Sequence, residues 1–150
     1  MIMKYVRLSS ILLIASLITT FLSTPITTIS YSLWLMSLNM PLTLEIFIDS
    51  LVHDWLNLGA TLIFLFLIGF LIAFLTTALI RNRFKVTYFS EPISYGIAGA
   101  SSIFLILYLT VELLFQTQMI GGNRYMLGFV GHICAGFLGG YFFGTFLKKV

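Results

Sequence analysis

Charge is what this chain has least of. Only 9% of its 150 residues are Asp, Glu, Lys or Arg, against about 25% in a soluble domain. So few charges cannot clothe a water-facing surface. With 59% hydrophobic residues and a mean hydropathy of +1.06, the implied solvent is lipid. Cysteine is nearly absent. Cys134 stands alone, which excludes an intrachain disulfide and a cysteine-pair zinc site. Catalytic signatures are missing too: there is no nucleophile elbow, phosphate loop, His-Glu-x-x-His helix or paired catalytic carboxylate. Serines are plentiful but have no assigned base, so nothing in the sequence favours an enzyme.

What is present is apolar and divided into four runs. The patterning predicts an all-α membrane bundle with spans at about 8–34, 58–80, 93–115 and 125–147. Four spans of about 20 residues use roughly 80 residues, which leaves short loops and one transmembrane domain. The basic start (Lys4, Arg7) before an apolar run also outlines a signal peptide. No clean small-x-small site follows, so it reads as an uncleaved first span. That span is rich in Ser and Thr, and Pro25 is expected to kink it.

Between the first two spans lies the longest polar interval, 37–57. Leu44, Phe47, Ile48, Leu51, Val52 and Trp55 recur there at spacings of three and four. This predicts a short amphipathic helix on the outer membrane surface, started by Pro41 or Thr43 and leading into span two.

The few charges are unevenly placed. With the N-terminus inside, Lys4, Arg7, Arg81, Arg83, Lys85, Lys148 and Lys149 share one side, and Arg124 alone is opposite. Seven basic residues against one put both termini in the cytoplasm of a bacterial inner membrane. Glu45, Asp49 and Asp54 fall outside, with Glu112 near the outer face. Tyr31, Trp34 and Trp55 suit the outer aromatic belt. The net charge of +3 thus reflects topology and lipid-headgroup contact rather than a nucleic-acid patch.

Helices in lipid associate by close packing. Gly128, His132, Gly136, Gly140 and Gly144 recur every four residues, beside a second row of Gly131, Ala135 and Gly139. Ser94, Ala98 and Ser102, with Gly96 and Ala100 adjacent, form the small face of span three expected to meet them. Gly69, Ala73 and Thr77 form a third row in span two. A contact between spans three and four is the leading expectation, and self-association on the glycine face is the competing one.

Ionisable residues at membrane depth are costly and mark candidate sites. Glu112 and His132 are the two clear cases, and Arg124 lies at the mouth of span four on the same side. A structural Glu112–Arg124 pair is the leading reading. A proton- or ion-handling cluster of Glu112, Arg124 and His132 is the alternative. His53 follows Asp49 by one helical turn. With Glu112 and His132 these residues could ligate zinc or iron, and the two histidines could ligate haem. The spacing fits no known motif, so neither a metal nor a cofactor is expected. Asp54 reads as an interfacial residue at the start of span two.

Two stretches carry a resemblance. One is Leu51-Val-His-Asp-Trp-Leu-Asn-Leu-Gly59. The other is Ile120-Gly-Gly-Asn-Arg124, followed by Ala135-Gly-Phe-Leu-Gly-Gly140. They resemble segments of small bacterial inner-membrane proteins of four helices with no assigned activity. The resemblance implies an architecture and no reaction, and it singles out His53, Asp54 and Arg124. Small four-helix multidrug exporters are similar in helix count only, since their embedded glutamate lies in the first span, where this chain has none.

The expected function is therefore a non-enzymatic membrane protein, either structural or an accessory subunit of a larger assembly. A small transporter or ion pathway is the alternative, and a metal- or haem-binding membrane protein the second. The expected partners are the bilayer, a second copy through helix four, or a larger membrane assembly, with no nucleic acid.

Overall fold

A computed structural model describes residues 2–85, 88–110 and 126–147. They form four helices: α1 (Ile2–Ser37), α2 (Leu44–Phe84), α3 (Glu91–Leu109) and α4 (Met126–Leu147). All four are long and apolar enough to cross a membrane.

Each helix packs on its neighbour in sequence, and α1 closes the ring against α4. The α3–α4 contact is the most extensive and α2–α3 the least. Every helix contributes to one apolar core: Ile11 and Ala15 from α1, Phe66, Phe70 and Phe74 from α2, Ile103 and Leu107 from α3, and Phe143 from α4. Its aromatic centre is Phe74, stacked on Phe143 at 4.4 Å and edge-on to Tyr95 at 5.5 Å.

The separate surface helix expected between spans one and two is not there. Thr43 does start a helix, its side chain capping the Ile46 amide at 3.3 Å. That helix then runs unbroken to Phe84. The reason is local. No proline lies between Leu44 and Phe84, and an isolated glycine such as Gly59 costs a helix only about 1 kcal/mol. The interval's sheltered residues, Phe47, Ser50, Leu51, Asp54 and Trp55, form a stripe at helical spacing that extends the packing of α2. The turn before it is closed by Asn39, whose left-handed φ of 57° suits a helix C-terminus. At the other end of α2, Lys85 takes the same conformation, with φ 47°.

The glycine rows of α4 divide their work. Gly136, Gly140 and Gly144 face α3, where added Cβ atoms would strike the backbone of Gly99, Tyr95 and Glu91. Gly131 and Gly139 face α1, where Cβ atoms would strike Ile26 and Thr19. The expected contact between spans three and four is thus made, through the adjacent Gly96 of the expected face and its neighbours rather than through Ser94, Ala98 and Ser102. Gly96, Gly99 and Ile103 meet α4. Ser94, Ala98 and Ser102 turn instead toward α2 and line a groove with Gly69, Ala73 and Thr77. Only the row without side-chain bulk at its centre, Gly99, lets α4 come to backbone contact.

Candidate functional site

The most polar part of the interior lies along α1. Ser16, Thr20, Thr24, Thr28 and Ser32 recur every four residues, and Thr19, Ser23 and Thr27 form a second row beside them. All are buried. A four-residue spacing keeps each row on one helix face, so α1 presents two hydroxyl rows to two neighbours. The first row meets α2: Thr28 Oγ1 donates to Asp54 Oδ2 at 2.7 Å, and Thr20 borders a cleft shared with Trp55 and Gly59. The second meets α4: Thr19 Oγ1 lies 3.5 Å from the Ala135 carbonyl and Thr27 Oγ1 lies 3.0 Å from His132 Nε2.

Most of these hydroxyls also satisfy themselves on their own helix. Thr19 and Thr24 donate to the carbonyls of Ala15 and Thr20 at 2.9 and 3.0 Å, and Thr27 Oγ1 lies 3.1 Å from the Ser23 carbonyl. This lets Ser and Thr sit in an apolar medium without orphaned donors. Two do not. Thr20 Oγ1 and Ser23 Oγ are buried and find no hydrogen-bond partner among the described residues.

His132 is fully buried, and its surroundings fix its protonation pattern. Nδ1 lies 2.6 Å from the Gly128 carbonyl oxygen. A carbonyl can only accept, so Nδ1 carries the proton. In the neutral ring Nε2 is then an acceptor, and Thr27 donates to it. The Thr27 hydroxyl has one proton and two acceptors in reach, His132 Nε2 at 3.0 Å and the Ser23 carbonyl at 3.1 Å. It can therefore serve either ring state. It donates to a neutral histidine, or turns to Ser23 and accepts from a protonated one.

A second polar group lies at the Leu44 end of α2. Tyr31, Asp49, Ser50, His53 and Asp54 line an open cleft of about 410 Å³. Asp49 and His53 share this cleft, as their spacing predicts. The His53 ring pairs with Asn57, Nδ1 to Nδ2 at 3.2 Å. Asp54 is half-buried and is tied to α1 through Thr28, rather than serving only as an interfacial helix-start residue.

The structure separates the two histidines. His53 is exposed on α2, whereas His132 is sealed between α1 and α4. Among the described residues no three His, Cys, Asp or Glu side chains come together to hold a metal, so the proposed grouping of Asp49 and His53 with His132 does not form. Glu112 and Arg124 lie outside the described residues. Of the glycines singled out by sequence, Gly128 supplies the carbonyl that holds His132, and Gly136, Gly140 and Gly144 carry α3.

The hydroxyl rows are the feature that sequence reasoning passed over, noting only that span one is rich in Ser and Thr. Their signal was the four-residue spacing. No family model, no curated protein and no solved structure matches this chain.

Proposed function

We propose that this chain is a non-enzymatic multi-pass membrane protein, a structural or accessory subunit of a larger membrane assembly. It would sit in a bacterial inner membrane with both termini in the cytoplasm. One observation carries the reading: His132, fully buried, spends both ring nitrogens on Thr27 and Gly128. An ionisable side chain in lipid is a functional candidate by default. Here it acts as an interhelical clasp and presents neither nitrogen to a substrate. The orientation rests on Lys4, Arg7, Arg81, Arg83 and Lys85 lying at helix ends that alternating spans would gather on one side.

Purification from native membranes in mild detergent tests this. A discrete homo-oligomer or a stoichiometric co-purifying partner is expected. A monodisperse monomer with no partner would remove the subunit role.

A second reading, a proton pathway, is favoured by the Thr27 hydroxyl, which can serve both ring states of His132. The unpartnered hydroxyls of Thr20 and Ser23 would extend such a route along α1. Liposomes carrying an internal pH dye discriminate. This reading requires proton flux through the parent that His132→Gln abolishes, and no parental flux above empty liposomes ends it.

A further inference from the structure

The α2–α3 interface, the loosest in the ring, holds a lateral groove of about 600 Å³. It is closed at Gly69, where α2 and α3 approach so nearly that an added Cβ would lie 2.6 Å from Ile106 Cδ1 and 2.7 Å from Ser102 Oγ. Its rims, Ile72 and Leu105, are more than half exposed, at 60% and 52%. The walls read as partly polar in sequence, but they present little polarity to an occupant. Thr76 and Thr77 each donate to the Ala73 carbonyl at 2.8 Å. From Ser94 to Leu109 the groove runs about 22 Å at 1.5 Å per residue. That exceeds the ~15 Å depth of one leaflet's hydrocarbon.

One end is basic. Arg81 reaches across from α2, its Nη1 donating to Ser94 Oγ at 2.6 Å and to the Phe89 carbonyl at 3.0 Å. Among the described residues the other guanidinium N–H groups meet no acceptor, which leaves them for an anion. Arg83 and Lys85 stand exposed on the same turn. Glu91, the nearest carboxylate in sequence, lies one turn before Ser94 with its backbone against Gly144 of α4, a single negative charge against three positive ones.

We propose that this groove seats one anionic phospholipid, its phosphate held by Arg81, Arg83 and Lys85 and an acyl chain lying over Gly69, Ala73 and Ala98. Charge selects this occupant over a second copy of the chain. Two copies inserted with the same topology meet about an axis along the membrane normal, so a groove-to-groove contact would set the two basic turns against each other at equal depth. A lipid phosphate neutralises them instead. The inference is independent of whether the protein is a subunit or a pathway.

Native mass spectrometry of the full chain, extracted from vesicles of equal dioleoyl-phosphatidylglycerol and dioleoyl-phosphatidylcholine, tests it. The parent is expected to retain one phosphatidylglycerol in preference to phosphatidylcholine. Arg83→Gln and Lys85→Gln, which leave the Arg81 contacts intact, should each weaken retention about fivefold, as expected for a basic residue at an anionic surface. Ala98→Phe fills the groove and should abolish retention with every basic residue in place. Ser101→Leu provides the same block should Ala98→Phe fail to fold, and both are checked by their helical circular dichroism. Equal retention of the two lipids overturns the proposal. So does unchanged retention in a folded groove-filling variant, or a lipid-free dimer cross-linked through the groove.

Discussion

Thr27 and His132 form a side-chain hydrogen bond between α1 and α4 in an apolar setting. Bonds of this kind between membrane helices are worth about 0.6 kcal/mol on average and at most ~1.7. Thr27→Val keeps the shape and removes the donor, so it should cost about that much in reversible unfolding from mixed micelles. Paired with His132→Ala in a double-mutant cycle, the coupling should be of the same sign and size. A coupling of zero would mean that the two side chains do not meet. Glycines offer a sharper contrast. An alanine at Gly140 would drive its Cβ into the Tyr95 carbonyl, backbone that cannot swing aside, so Gly140→Ala should destabilise by about 1–3 kcal/mol. At Gly59 nothing lies within 4 Å of the added atom, and Gly59→Ala should be neutral or stabilising by up to about 1 kcal/mol. The same unfolding measurement ranks the pair. His132 was legible in the sequence because an ionisable residue in an apolar run is conspicuous. Thr27 was not, since its role depends on which face of α1 meets α4, and periodicity within one helix does not specify a neighbour.

The four apolar segments were readable because a run of that length has few fates other than a membrane span. Their limits were less so. The polar interval 37–57 read as a separate surface helix because its composition changes at Leu58, but backbone continuity follows breakers rather than composition. With none between Thr43 and Lys85, α2 extends over 41 residues. Likewise, small-residue rows announced close packing without saying which row meets which. Sequence paired Ser94, Ala98 and Ser102 with α4, whereas Gly99 allows the closer approach and the serine face was left to α2. The continuity of α2 can be measured. Spin labels at Asp49→Cys and Arg83→Cys, in a Cys134→Ser background because Cys134 is exposed, span 34 positions. A straight helix separates those backbone sites by about 51 Å. A distance under about 40 Å would mean that 44–57 folds over onto the membrane surface.

For the whole molecule, the distribution of charge along α2 sets the bilayer. From Asp54 to Arg81 the helix carries no Asp, Glu, Lys or Arg between its ends, and it covers about 40 Å at 1.5 Å per residue. That length matches the ~40–45 Å of a bilayer including its headgroup layers. The acidic cleft of Asp49 and Asp54 and the basic turn of Arg81, Arg83 and Lys85 therefore belong in opposite headgroup layers, with Thr28 beside the acidic one and His132 and the aromatic core between them. The proposed orientation puts the basic turn on the cytoplasmic side, as the positive-inside bias expects. Single cysteines make this testable in the same Cys134→Ser background. On intact spheroplasts, a membrane-impermeant maleimide should label Asp49→Cys and spare Arg83→Cys until the membrane is permeabilised. The reverse pattern would invert the protein while leaving its packing untouched. Labelling of both sites from one side would mean that α2 does not cross. The ring of four spans would then be broken, and the Thr27–His132 clasp could not lie at membrane depth.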